Sequence, residues 1–424
     1  MSTDDRQRPP AAGNDCGQHE PPPLGVEEAL ALLLEKAQPL ADSEAVPTGA
    51  AAGRVLAAPV ASPIDQPVWD NSAMDGYAVN AADAAARGGR LRVSQRIPAG
   101  SHGGPLAPGT AARIFTGAPV PEGADTVVVQ EVCESDGDEV LVPADLSPGA
   151  NIRRRGEDVS AGQTLIEPGT RLRPQHLGLA ASVGAAELSV VRRLRVAFFA
   201  SGDELVMPGR PLGPGQIYNS NRFLFTGLLQ SLGCEVIDLG VVEDRLEATV
   251  AALADAAARA DLVLASGGVS VGDEDHVRPA VQQLGSLDLW RVSMRPGRPL
   301  AFGHIGATPF IGSPGNPVSL FVTFCLFARP FILRMQGVTG GLALTPLPVT
   351  AGFDWPKGAK RREYQRARLE LDAEGRPLAH IFRSRSSAAL TSLTWANGLV
   401  VLDEGRTFEA GETVLFIPFS ELLG

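Results

Sequence analysis

Between Arg193 and Met335 short apolar runs alternate with amphipathic stretches, and no other feature of the chain restricts its fold as strongly. "RVAFFA" (195–200), "EVIDLG" (235–240), "DLVLAS" (261–266), "PLAFGH" (299–304) and "TPFIG" (308–312) have the length and apolar content of buried strands. "NSNRFLFTGLLQSLG", "RLEATVAALADAAARA", "DEDHVRPAVQQLG" and the run from Pro317 to about Met335 read as helices. Strands joined through a helix lie parallel, and the helices then cover both faces of the sheet. The alternation therefore predicts a doubly wound α/β domain over 193–338.

The flanking segments follow a different grammar. "GVEEALALLLEKAQPL" from Gly25 reads as an amphipathic helix, with Glu27 and Glu28 where negative charge suits the helix dipole. From there to about Val190, runs such as "RVLAAPV", "AARIFTGAPVPEGADTVVVQEV" and "GTRLRP" alternate with Gly and Pro, the pattern of an extended β-rich region. After about Thr339, "PLPVTAGF", "REYQRARLEL", "GLVVLDEG" and "ETVLFIPF" predict a small barrel or sandwich. Residues 1–23 are polar, Pro-rich and aperiodic, and read as a disordered tail. One stretch, "WDNSAMDGYAV" (69–79), breaks both strand and helix periodicity and reads as a shaped loop, either a plain Asp-Gly turn or a functional element.

Bulk properties exclude several classes. A chain of 424 residues suits several domains, and a formal charge of −11 gives no general attraction to nucleic acid. Cys16, Cys133, Cys234 and Cys325 form no closely spaced pair, which fits a reducing cytoplasm. The N-terminus has no basic region followed by an apolar stretch, and no run is expected to span a membrane. The six histidines share no metal-ligand spacing, and no Gly-x-Ser-x-Gly elbow supports a Ser-His-Asp hydrolase.

Ligands of open α/β sheets bind outside the carboxyl ends of the strands, so the residues after each strand carry the functional signal. "SGDEL" (Ser201, Gly202, Asp203, Glu204) follows the first strand, and Glu243 and Asp244 follow the second. "GGVSVGDED" (Gly267 to Asp275, with Gly268, Ser270, Gly272, Asp273 and Glu274) follows the third, and "SPGNPVS" (Ser313, Pro314, Gly315, Asn316 to Ser319) follows "TPFIG". "SPGNPVS" is either a tight turn into a helix capped by Asn316 or a cradle whose free N–H groups take an oxyanion. The acids are either solvated helix starts or carboxylates gathered for Mg²⁺. Arg291, Arg295 and Arg298 in "WRVSMRPGRP" serve either as surface charges or as partners for a phosphate or other tetrahedral oxyanion. The glycine loop is not a Walker loop, because no Gly-Lys-Ser/Thr follows it.

Together "DNSAMDGYAV", "FTGAPVPEGADTVV", "NIRRRGEDVSAG", "SGDEL", "GGVSVGDEDH" and "SPGNPVS" make residues 24–424 resemble the molybdopterin molybdenumtransferases, the MoeA family that includes the E domain of gephyrin. The resemblance implies an N-terminal region (24–192) of two β-rich subdomains, one inserted at roughly 62–160. A molybdopterin-binding α/β domain (193–338) and a C-terminal β-barrel (339–424) would follow. It implies a homodimer whose active site lies between subunits, with Asp75 and Thr116 completing the partner's crevice. The implied reaction inserts molybdate into adenylylated molybdopterin with Mg²⁺ and releases AMP.

By motif, Glu204, Asp244 and Asp275 would be catalytic with Asp75 and Thr116, and Asp244, Asp273 and Asp275 would hold the metal. Asp158, Ser201, Gly202, Gly267, Gly268, Ser270, Gly272, Arg291, Arg295, Arg298, Ser313, Pro314, Gly315, Asn316, Arg366 and Ser387 would bind substrate. Two departures stand out: arginines at 291, 295 and 298 replace the family's lysines, and Ser386-Ser387 replaces a Gly-Ser step. Only three lysines accompany the many arginines of this chain, so compositional drift accounts for the first. Further partners implied are the adenylyltransferase of the preceding step and molybdoenzyme-maturation proteins. The competing readings are that adenylyltransferase itself and a scaffold of the gephyrin type.

Overall fold

The computed structural model describes residues 22–267, 276–297 and 299–423. The expected tail (1–23) lies almost wholly outside these residues. The chain forms two compact units: one of residues up to 40 with 193–336 and 341–424, the other of 41–192 with 337–340.

In the first unit a six-stranded sheet runs in the order Glu235–Val242, Arg195–Ser201, Leu262–Ser266, Thr308–Ser313, Pro299–Ile305, Gly285–Arg291. The first four strands are mutually parallel, and the last two pair antiparallel. The edge strand Gly285–Arg291 has no counterpart in the sequence reading. Alternation of side chains along Arg195–Ser201 divides the core. Ala197 and Phe199 join Val263, Ala265 and Phe310 under the helices Leu246–Arg259 and Val277–Leu284. Phe198 faces Phe225 of the helix Ser220–Ser231, which in turn meets Phe324.

Phe324 belongs to the continuous helical run Pro317–Met335. Its middle, Phe324–Ala328, is a π-helix. Pro330 has no N–H to give to the fourth residue before it, and the wider turn ahead of it accommodates that loss. This run is long and apolar enough to cross a membrane, contrary to the sequence expectation, but 94% of it is buried inside the protein as core.

The helix Val26–Glu35 packs within this unit although it opens the chain. Leu24 bridges Val292, and Glu27 pairs with Arg362. The C-terminal strands Arg362–Leu371, Pro377–Ile381, Leu347–Ala351, Thr413–Pro418 and Gly398–Leu402 pair in that order, and the last returns to the first, closing a five-stranded barrel. Closure removes exposed sheet edges, and Trp355, Ala367, Val400 and Phe416 fill the interior.

In the second unit, strands between Gly76 and Leu141 form a six-stranded sheet. A second core, built on Leu56, Ile166, Leu172 and Leu188, unites the chain on either side of it. The "WDNSAMDGYAV" stretch is only partly a loop: Asn71–Ser72 and Gly76–Val79 are strands on either side of a short connection. Gly76 is required there, because an added Cβ would lie 1.9 Å from the Val128 carbonyl oxygen.

Candidate active site

Strand order fixes where a ligand can enter the α/β sheet. From Arg195–Ser201 the chain crosses to Glu235–Val242 on one side and then to Leu262–Ser266 on the other, so the connections diverge above the first strand. At that point the ends of four strands converge. Ser201 Oγ donates to Asp244 Oδ1 at 3.3 Å, and the Asp244 amide donates to Asp203 Oδ1 at 3.4 Å. Gly267, in the left-handed region at φ +85°, donates its N–H to Ser313 O at 3.1 Å. A Cβ on Gly267 would sit 3.3 Å from Ser201 O, and one on Gly315 would sit 3.7 Å from Gly267 Cα. The left-handed backbone at 267 favours glycine, and the approach to Ser201 O is tight there, whereas the space at Gly315 is ordinary. At Gly202 the Glu204 carboxylate folds over the place a Cβ would take.

Asn221, in the first turn of Ser220–Ser231, binds this arrangement together. Its Nδ2 donates to Ser266 Oγ at 2.8 Å and to Gly315 O at 2.6 Å. Gly315 leads into the helix at Pro317, where Asn316 takes the N-cap position without a side-chain capping bond. The expected cap is therefore a backbone cap, and the Asn316 side chain is released from that duty.

At the second residue of this helix, the Val318 amide donates to Ser387 O at 3.0 Å, which joins the helix start after the "SPGN" loop to the barrel. The barrel loop is held from beneath by Arg366. This guanidinium is 1% exposed and donates to Ser384 O (2.7 Å), Ser386 O (3.2 Å) and Ser392 Oγ (3.0 Å). Burial and the nearby charge of Arg295 both lower its pKa. The Glu363 carboxylate accepts from Gln365 and Arg385, and Arg295 stands 3.8 Å away. Contacts and adjacent residues thus lead from Arg366 to the Ser386 carbonyl, from the neighbouring Ser387 carbonyl to Val318 in the helix that follows Gly315, and from Gly315 through Asn221 to Ser266, the residue before Gly267.

The second unit carries its own pair. Asp75 Oδ1 accepts from both the Thr116 amide and the Thr116 hydroxyl at 2.8 Å. These bonds, backed by the charge of Arg113, hold the carboxyl below the usual carboxylate range. Half-buried Asp75 and exposed Thr116 lie on neighbouring connections of one sheet, which brings "DGYAV" and "IFTGAP" together. Asp158 lies exposed on the loop that follows, its amide donating to Gln66 O at 3.0 Å.

The structure thus gathers Ser201, Gly202, Glu204, Asp244, Gly267, Ser313, Pro314, Gly315 and Asn316 at one sheet edge, and Arg295, Arg366 and Ser387 at the barrel. Arg291 ends the edge strand, where its carbonyl accepts from Leu24 at 2.8 Å. Gly268, Ser270, Gly272, Asp273, Glu274, Asp275 and Arg298 lie outside the described residues. Sequence reasoning missed Asn221, Glu363 and Arg385. Asn221 was absorbed into a helix, and Glu363 and Arg385 looked like ordinary strand and loop charges. Among the described residues no three His, Cys, Asp or Glu side chains gather as a metal cluster. Asp203 and Asp244 nevertheless offer hard carboxylate oxygens from adjacent strand ends, a donor set suited to Mg²⁺.

Comparison with known proteins adds three family matches and a set of relatives. Residues 24–184 match the MoeA N-terminal region (domain I and II), residues 197–334 match a probable molybdopterin binding domain, and residues 348–419 match the MoeA C-terminal region (domain IV). A molybdopterin molybdenumtransferase of Haemophilus influenzae is 38% identical over 95% of this chain and 100% of its own length. One from Bacillus subtilis is 34% identical over 94% and 95%. A crystal structure of a molybdopterin biosynthesis MoeA protein from Pyrococcus horikoshii superposes with a TM-score of 0.80 at 28% identity, covering 94% of this chain and 100% of that one.

Proposed function

The chain belongs to the MoeA family of molybdopterin molybdenumtransferases, and from that premise we propose that it inserts molybdate into adenylylated molybdopterin and releases AMP. The observation that carries the reading is the line of contacts from Arg366 to Gly267. In this reading it links the barrel arginines assigned to the oxyanion with glycine loops assigned to a phosphate or a heterocycle. Arginine suits a tetrahedral oxyanion, and glycine loops let a phosphate approach the backbone closely.

In this reading Gly267, Gly315 and the helix start at Pro317 take the pterin and its phosphate, with Gly268, Ser270 and Gly272 extending the loop. Arg295 and Arg366 hold molybdate as substrate beside the dithiolene sulfurs, assisted by Arg298 and Ser387. Such placement turns a meeting of two substrates into an intramolecular step. The adenylate is a phosphoanhydride: an oxygen from water, or from a molybdate oxo group whose Mo–O bond breaks, bonds to the adenylyl phosphorus, the bridging P–O bond breaks and AMP leaves with that oxygen. Molybdenum bonds to the two dithiolene sulfurs as their protons depart with displaced oxo oxygen as water. Asp244, with Asp273 and Asp275, would hold Mg²⁺, which when bound offsets phosphate charge. Asp275 either positions that metal or activates the attacking oxygen. Asp75 and Thr116 would complete the crevice of a second copy, so the working form is a homodimer, in the cytoplasm.

Two other readings are separable by substrate. An adenylyltransferase consumes ATP with bare molybdopterin, and a scaffold of the gephyrin type shows no metal-dependent turnover. Purified protein offered each substrate in turn is expected to release AMP from adenylylated molybdopterin and to leave ATP intact. ATP consumption would reverse the assignment.

A further inference from the structure

We propose that Glu363 is a positioning residue that sets the size of oxyanion accepted by the arginine cluster. The inference rests on the molybdate reading above and assigns the selectivity of that same site. Its basis is an asymmetry among three guanidiniums. Arg366 is buried and fixed by three acceptors of its own, so it can neither advance nor retreat. Arg295 and Arg385 are about half exposed, and one carboxylate oxygen, Glu363 Oε1, governs both.

Glu363 is itself held. It is 2% exposed, sits opposite Arg295 in the parallel pairing of 294–295 with 362–363, and receives the Gln365 side-chain amide on its other oxygen. Arg385 is further confined with its guanidinium carbon 4.5 Å from the centre of the Trp355 ring. A carboxylate this deeply buried is costly unless paired, and here two of its partners are the half-exposed guanidiniums to which the proposal assigns the oxyanion. An anion held between Arg295 and Arg385 therefore meets a span set by the reach of Glu363.

A simpler role, offsetting part of the positive charge, is separable from positioning. Molybdate and sulfate are both tetrahedral dianions but differ in size. A change in charge alone shifts the affinity for both by the same factor, whereas a change in spacing shifts their ratio.

The test measures equilibrium binding of molybdate alone and of sulfate alone to the full-length protein and to Glu363→Gln, Glu363→Asp and Arg385→Ala. Glu363→Gln is expected to lower the preference for molybdate over sulfate by about tenfold, the scale on which a site discriminates by size. Glu363→Asp, which keeps the charge but shortens the reach, is expected to move the ratio in the same direction. Arg385→Ala removes one arm and its hydrogen bond to Glu363 but keeps the carboxylate with its Gln365 and Arg295 partners, so it too is expected to shift the ratio and serves if Glu363→Gln fails to fold. Equal shifts for both anions in these variants would overturn the proposal and leave the molybdate reading standing. Failure of the unmodified protein to bind molybdate would overturn both.

Discussion

The side-chain amide of Asn221 donates at once to Ser266 Oγ and to the carbonyl of Gly315, at 2.8 and 2.6 Å. Ser266 ends the strand before Gly267, and Gly315 precedes the helix at Pro317, so one side chain sets the gap between two glycine loops. Removing it leaves a buried strand-end hydroxyl and a loop carbonyl without this donor. Asn221→Ala is expected to cost about 1–2 kcal/mol of stability. Its effect on pterin affinity should exceed what that loss explains, because the loops would part. Thermal unfolding and a fluorescence titration with molybdopterin check the two halves separately.

Gly267 makes a sharper test of the same geometry. Its backbone lies at φ +85° and a Cβ would meet Ser201 O at 3.3 Å. Gly267→Ala is expected to lose about 1–2 kcal/mol through the left-handed conformation alone and to abolish turnover by pushing the two loops apart. Wild-type turnover in this variant would show that the loops need no such contact.

Asp75 separates chemistry from folding. The bonds from Thr116 lower its folded pKa, Asp65 is lowered by the Ala161 amide and Arg155, and Asp70 by the Arg155 amide and Arg154. A folded pKa below the unfolded value of 3.8 means that each contribution is fully present above that pH and is lost as the pH falls through the lowered value. Stability of the 41–192 unit should therefore decline on acidification below the ordinary carboxylate range. A variant carrying Asp65→Asn, Asp70→Asn and Asp75→Asn should flatten that decline in an acid titration followed by circular dichroism.

At neutral pH Asp75→Asn alone should fold normally and lose activity. Mixed with an inactive Asp244→Asn protein after subunit exchange, it should regain a fraction of wild-type turnover, because in the proposed homodimer one of the two shared sites is then intact. No recovery in verified mixed dimers would place both residues in one subunit's site.

Arg366 links the fold of the barrel loop to the proposed anion recognition. Lysine keeps the charge, but it cannot reproduce the fork that reaches Ser384 O, Ser386 O and Ser392 Oγ. Arg366→Lys is expected to cost about 2 kcal/mol and to raise the molybdate concentration needed for half-maximal turnover, while leaving affinity for molybdopterin unchanged. Paired titrations of the two ligands distinguish this from general damage.

The α/β domain was legible because burial on both faces imposes near-continuous apolar runs, as in "RVAFFA" and "DLVLAS", and these strands appear where periodicity places them. Gly285–Arg291 was not, because an edge strand is covered by fewer neighbours and "GSLDLWR" carries polar residues. Pro377–Ile381 escaped for the same reason of mixed exposure. At the site, loops that follow strands could be named from sequence, since chain order alone locates strand ends. Asn221, Glu363 and Arg385 could not, because their roles arise from partners 45, 94 or 22 residues away. Gly76 shows the reverse case: its residue type was conspicuous, but the cause, the Val128 carbonyl beneath it, lies on a different strand.

The central claim is that one site joins an oxyanion to a pterin phosphate, and the molybdenum content of the pterin product tests it most directly. Purified protein would be incubated with adenylylated molybdopterin and Mg²⁺, with and without molybdate, and AMP and pterin-bound molybdenum measured in the same samples. The account predicts molybdate-dependent release of AMP, with molybdenum retained on the pterin in proportion. Release of AMP at the same rate without molybdate, or a pterin product free of molybdenum, would contradict it.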